Sequence, residues 1–115
     1  MLEADIESKV RKYAIRKGWM VRKFTSPAKK NVPDRIYTAP GGIITYIEFK
    51  ATGKRPTFGQ YRELDKLIAQ GCRAIWINDV HAGFRYVDLV HANHNCDAWV
   101  KSNWDTNKWL DHEVR

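Results

Sequence analysis

The sequence predicts an α/β domain of αβββαβ order, with a mixed central sheet flanked by helices. Three observations carry this. Apolar residues recur at helical spacing in two stretches, one at the N-terminus and one after residue 57. Between them lie three short runs rich in β-branched and aromatic residues, punctuated by Gly, Pro and Asn. The second helical stretch is followed at once by an apolar run, Ala74-Ile75-Trp76-Ile77. A helix crossing between two strands makes that pair parallel and covers both faces of the sheet.

Leu2, Ile6, Val10, Tyr13 and Ala14 predict an amphipathic helix over 3–17 that stops at Gly18, with Leu2, Ile6, Val10 and Tyr13 facing the core. Residues 19–24 read as the first strand. The basic stretch 25–33 has no apolar periodicity and is a loop. Residues 34–38 and 43–50 are the second and third strands, joined by a hairpin at Pro40-Gly41-Gly42. Thr57-x-x-Gln60 has the form of a capping box opening a second helix, whose apolar stripe is Tyr61, Leu64, Leu67 and Ile68 and which closes at Gly71. Residues 73–78 are the fourth strand. The remainder is less legible: 84–90 fits a strand or a helix, and Trp99, Trp104 and Trp109 fit neither period. Residues 1–78 therefore read as the core, and 79–115 as an extension packing on it or on a dimer partner, within one domain.

Composition narrows the function classes. An apolar share of 43% and a charged share of 29% are those of an ordinary folded domain. No apolar run approaches the roughly 20 residues that span a bilayer, and the first residues are acidic where a secretory signal needs bases, so a cytoplasmic protein without a membrane partner is expected. Cys72 and Cys96 then read as reduced thiols. His91, His94 and Cys96 form an H-x-x-H-x-C cluster that lacks an evident fourth zinc ligand. The net charge of +7 is uneven: 17 Lys and Arg stand against 8 acids in residues 1–87, and 3 against 5 in residues 88–115. A basic surplus of this kind is the footprint of a phosphate-backbone binder.

Inside the basic part, the third strand ends in two opposite charges. Alternation puts Tyr46, Glu48 and Lys50 on one side and Ile43, Thr45, Ile47 and Phe49 on the other. The Cα atoms of Glu48 and Lys50 are then roughly 6.6 Å apart, a gap that a metal ion or a water could bridge. The hairpin would set Asp34 beside Glu48. An acid and a lysine on a half-buried strand are ordinarily a solvated face, and it is the company of Asp34 and the basic surroundings that raises this pair. Glu3 suits the helix N-terminus by its charge alone, whereas Glu7 borders the buried stripe and is explained less well by the dipole. Gln60 has a structural role in the capping box.

Glu7, then Val32-Pro33-Asp34-Arg35-Ile36, then Ile47-Glu48-Phe49-Lys50-Ala51, Gly53 and Gln60, in order across about residues 3–78, resemble a VRR-NUC domain of the PD-(D/E)XK nuclease superfamily. Small stand-alone versions of that domain are similar to phage and bacterial Holliday-junction resolvases. The resemblance implies a restriction-endonuclease-like fold and a Mg²⁺-dependent DNA endonuclease, with Mn²⁺ able to substitute, working in a bacterial host or a phage-infected cell. It further implies selectivity for branched DNA such as four-way junctions, and a homodimer. Asp34 and Glu48 would ligate the metal with the backbone carbonyl of Phe49, and Lys50 would orient or activate the attacking water. Glu7 would reach the site from the first helix as a further ligand, with Glu3 as the fallback, and Gln60 would sit nearby. Lys29, Lys30, Arg35, Lys54 and Arg55 are then the expected DNA contacts.

Two positions depart from the family pattern. Asn31 stands where Gly is common, and Asn is the next residue able to adopt φ > 0. Leu64 stands where exonuclease-like branches of the superfamily place Tyr four residues after the Gln, which argues against those branches. The alternative function is a non-catalytic DNA-binding module of the same fold. Intact Asp34, Glu48 and Lys50 tell against it, because a pure binder gains affinity by losing acids near phosphates. A sequence-specific restriction enzyme would need base-reading elements for which so small a chain has little room.

Overall fold

The structure, a computed structural model, describes residues 1–92. Its elements are α1 (Glu3–Arg16), β1 (Met20–Lys23), β2 (Arg35–Ala39), β3 (Ile43–Phe49), α2 (Phe58–Ala69), β4 (Arg73–Ile77) and α3 (Val80–Ala92). The first six follow the expected order. The strands form one sheet in the order β1-β2-β3-β4, the first two pairs antiparallel and β3–β4 parallel. The parallel pair is where α2 makes the crossover, as a helix between neighbouring strands requires.

Ile6, Val10 and Ala14 of α1 are fully buried and Tyr13 partly so. Leu2, expected among them, is 69% exposed. It is the N-cap residue with extended backbone, so its side chain is not carried onto the helical stripe. Both α1 and α2 end in the same way. The N–H of Trp19 donates to the carbonyl of Ala14 and that of Gly18 to Ile15; Cys72 to Leu67 and Gly71 to Ile68 repeat the pattern at α2. These are Schellman closures, and they turn each helix sharply back toward the sheet.

Burial alternates along β3 as its sequence implies: Ile43, Thr45, Ile47 and Phe49 are buried on one face. On that face Thr45 is hydrogen-bonded to the Tyr86 hydroxyl of α3 at 2.7 Å, and Tyr37, paired with Thr45, is hydrogen-bonded to Glu7 of α1. On the other face Tyr61 of α2 meets Trp76 edge-on, with centroids 6.3 Å apart. Helices α1 and α3 thus cover one side of the sheet and α2 the other.

The stretch that fitted either a strand or a helix is part of α3. Ala82, Tyr86 and Val90, four apart, are buried together with Val87, so the core runs past residue 78. Ala82, the first member of that stripe, lies ahead of the apolar run 84–90. The Asp79 carboxylate accepts from the N–H of Ala82 at 2.9 Å and caps the helix start. Gly83 lets α3 approach α1: a Cβ there would lie 2.4 Å from Val10 Cγ2. Tyr13 and Phe84 stack across the same seam at 4.3 Å, and Lys17 pairs with Asp88 at 3.0 Å. His94, Cys96, Trp99, Trp104 and Trp109 lie outside the described residues.

Candidate active site

The end of β3 gathers most of the expected residues. The hairpin pairs Arg35 with Ile47, so one step further along the ladder Asp34 stands opposite Glu48. Glu48 is paired with Trp76 of β4 and points to the α2 side. Its side chain is 10% exposed, and Lys50 Nζ lies 3.8 Å from its Oε2. The same oxygen accepts from Gln60 Nε2 at 3.4 Å. Among the described residues no group is hydrogen-bonded to Oε1.

Gln60 holds two positions at once. Thr57 and Gln60 form the expected capping box: the Gln60 N–H donates to Thr57 Oγ1 at 3.2 Å, and Thr57 N–H donates to Gln60 Oε1 at 2.9 Å. With its carbonyl committed to the helix start, the amide nitrogen is the part left to face Glu48. The cap therefore orients a side chain of the site.

The Glu48 carboxyl is pushed up to about 7. Burial is the largest cause; Lys50 pulls the other way, and Asp34 and Glu3 push up again. A buried carboxylate with two acids in range and one ammonium at 3.8 Å is short of positive charge. Glu3 thus acts on Glu48 from the first turn of α1. The N–H of Thr52 donates to the carbonyl of Met1 at 3.0 Å, which fastens that end of α1 to the turn after Lys50.

Glu7 is not brought to the Glu48 carboxylate. It lies on the opposite face of the sheet, where Arg11 Nε approaches both its oxygens at 3.2 and 3.3 Å, Arg35 Nε lies 3.4 Å away and the Tyr37 hydroxyl donates at 3.4 Å. Burial and the charge of Glu7 push the Tyr37 hydroxyl well above its usual range, so it stays a donor. Arg35 Nη1 continues to Asp34 Oδ2 at 3.2 Å and to the Asp34 carbonyl at 3.3 Å. Arg35, expected among the DNA contacts, is therefore held between two carboxylates, its side chain 21% exposed. Through it Glu7 touches the site indirectly.

The remaining basic residues fall in two exposed places. Asn31 has φ 69°, so the turn that the family usually makes with Gly is kept. Lys29 and Lys30 precede it and line a cleft of about 250 Å³ with Arg62, Glu63 and Lys66 of α2. Lys29 and Lys66 both approach Glu63, at 3.3 and 3.7 Å. Arg62 and Lys66 were not among the expected contacts, although their four-residue spacing on the face away from Leu64 marks them as one outward stripe. Phe58, 77% exposed beneath the Arg62 guanidinium, adds an aromatic to this rim. Lys54 and Arg55 lie in the turn after β3, which the Asn78 side chain pins through the Lys54 carbonyl at 2.9 Å.

Two carboxylates and a lysine gather at the open end of a mixed sheet flanked by basic loops, and this is the candidate site. The chain is 40% identical over 74 residues, 64% of its own length and 75% of the other, to "Putative nuclease p44" of Acyrthosiphon pisum secondary endosymbiont phage 1. A solved structure described as "VRR_NUC domain" superposes with a TM-score of 0.65, covering 80% of this chain and 96% of that one at 22% identity. No family model matches. The chain belongs to the VRR-NUC nuclease family. No helix among the described residues is long and apolar enough to cross a membrane.

Proposed function

We propose that this protein is a divalent-metal-dependent DNA endonuclease, using Mg²⁺ with Mn²⁺ as a substitute, that hydrolyses phosphodiester bonds in branched DNA. The observation that carries the reading is Glu48, a buried carboxylate pushed up to about 7, with one oxygen that has no hydrogen-bond partner among the described residues and with Asp34 and Lys50 beside it. The donors are hard oxygens lacking cationic charge, which suits an ion of this kind. Among the described residues no three His, Cys, Asp or Glu side chains converge into a closed cage. Two carboxylates and a main-chain carbonyl suffice for Mg²⁺, which keeps several waters. Asp34, Glu48 and the Phe49 carbonyl would hold it, and when bound it would neutralise phosphoryl oxygens and acidify a bound water.

The protein's own groups do the rest. Lys50, just past the end of β3 with its ammonium 3.8 Å from Glu48, orients the attacking water and faces the charge that grows on the phosphoryl group. Gln60 holds Oε2 of Glu48 and so decides which oxygen remains available. Arg35 grips Asp34 and is itself gripped by Glu7, so we assign Glu7 a positioning role through Arg35. Lys29, Lys30, Lys54 and Arg55 bind backbone phosphates on either side. Resolving a four-way junction requires two strands to be cut as a symmetric pair, and one chain carries one such site, so the working unit is a homodimer.

The test is incubation of the purified protein with four-way-junction, duplex and single-stranded DNA, in Mg²⁺, in Mn²⁺ and in EDTA. Cleavage is expected only with metal, foremost on the junction, and is expected to vanish in Lys50→Ala. Light scattering should give two chains per junction. A Lys50→Ala protein cutting at near the wild-type rate would show the β3 assignment to be wrong, and binding without cleavage in both metals would leave the non-catalytic module.

A further inference from the structure

A second basic concavity lies on the side of the molecule away from α2. It runs between α1 and α3, has a volume of about 540 Å³, and is lined by Lys9, Lys12 and Arg16 on one side and His81 and Phe84 on the other, with Met1 also contributing. We propose that this groove is a path for one nucleic-acid strand leading away from the active site. The inference rests on the nuclease reading and adds to it a binding surface separate from the Lys29–Lys30 loop.

The pairing of α1's cations is selective. Arg11 is bound to Glu7 and Lys17 to Asp88. Lys9, Lys12 and Arg16 are exposed, and no carboxylate among the described residues pairs with any of them; the Arg16 guanidinium lies over the Tyr13 ring at 5.9 Å. Spaced three and four apart, they form one stripe. From Lys9 to Arg16 the stripe covers about 10 Å at 1.5 Å per residue, which matches about three backbone steps at 3.4 Å per strand. Exposed lysines alone would mean only solubility. These line a concavity, and its far wall carries Phe84, held by stacking on Tyr13 at 4.3 Å, with His81 edge-on at 6.2 Å. A cationic wall facing fixed rings is what a nucleic-acid strand uses.

Position decides between nucleic acid and other polyanions. Met1 lines the groove and its carbonyl accepts from the N–H of Thr52, two residues past Lys50. The groove therefore opens beside the turn that closes the active site, where a strand leaving the site would enter it. An anionic membrane would meet a convex apolar or basic face, and this surface is concave.

The experiment compares the wild type with the triple variant Lys9→Gln, Lys12→Gln, Arg16→Gln in EDTA. Binding of a labelled single strand and of a duplex is followed between ~50 and ~200 mM salt, and a thermal melt checks folding, which exposed substitutions should leave intact. Three lost phosphate contacts should lower the log–log salt slope by about 2 on a single strand or about 2.7 on a duplex, and weaken binding on the order of a hundredfold at ~100 mM. A fall of about 2 on the single strand supports the proposal, and a fall confined to the duplex overturns it. An unchanged slope on both, in a protein that cuts DNA with metal, overturns the groove and leaves the nuclease. A lowered slope in a protein that cuts nothing keeps the groove and removes the nuclease reading. Loss of binding to phosphatidylserine vesicles with DNA binding unaltered would make the groove a membrane contact and overturn the proposal.

Discussion

Glu7 and Glu48 are both 8% exposed and lie on opposite faces of one sheet, but their surroundings differ in kind. Glu7 receives two guanidinium groups and a tyrosine hydroxyl. Glu48 receives an amide at 3.4 Å and an ammonium at 3.8 Å on a single oxygen, with two more acids near enough to oppose its charge. Among the described residues the first carboxylate is satisfied and the second is not. A buried charge that its own chain leaves short of partners costs stability, and such a shortfall is kept where something else is meant to bind.

Exchanging the two carboxylates for amides should separate these roles, and this is the largest effect expected. Glu48→Gln should lower cleavage about a thousandfold, because a ligand of the ion is gone, while raising the melting temperature of the metal-free protein above pH 7. Glu7→Gln should do the reverse in emphasis. It leaves Arg11 and Arg35 without their counter-charge and should destabilise by roughly 2–4 kcal/mol, Arg11 being partly in water, with cleavage down about 10- to 100-fold through Asp34. Melting curves and single-turnover rates on both variants decide it. Equal losses of stability in the two would erase the distinction.

The pH dependence sharpens the same contrast. Glu48's carboxyl rises from 4.5 to about 7 on folding, so between those values the folded protein binds more protons than the unfolded chain. Stability from this group is complete below about pH 4.5 and is lost as pH rises through about 7. Denaturation midpoints of the metal-free protein should accordingly carry a downward contribution over that window that Glu48→Gln removes. Millimolar Mg²⁺ should restore stability above pH 7 by taking the proton's place, and a midpoint indifferent to Mg²⁺ at pH 8 would argue against an ion at Glu48.

How far the sequence foretold this depends on the range of each interaction. Strand parity put Glu48 and Lys50 on one face, the Pro40-Gly41-Gly42 turn set Asp34 across from Glu48, and the Thr57–Gln60 spacing announced a cap; all three are local and period-driven. For Arg35 only the charge is visible in a sequence, and charge alone points to phosphate contacts. Its two carboxylate partners depend on how α1 packs over β2, which no local pattern encodes. The same holds for Glu7, whose place beside the buried stripe was legible and whose partners were not. Helix α3 was ambiguous because its first inward residue, Ala82, is small and lies outside the apolar run that draws the eye.

Gln60 offers the finest test, since its two ends serve the two sides of the comparison separately. Gln60→Ala removes the capping acceptor and the donor to Glu48 together, and should cost about 1 kcal/mol in stability and several-fold in rate. Gln60→Glu keeps an acceptor for the Thr57 N–H, as a capping box allows, but replaces the amide facing Glu48 with another acid. Its melting temperature should therefore stay near wild type, while the crowded carboxylates push Glu48 higher still and cleavage near neutral pH falls by more than in the alanine variant. Raising the pH should recover part of that loss as Glu48 ionises. If Gln60→Glu cut like the wild type at every pH, the 3.4 Å contact would be a by-product of the cap, and Glu48 would be held for catalysis by Lys50 and the backbone alone.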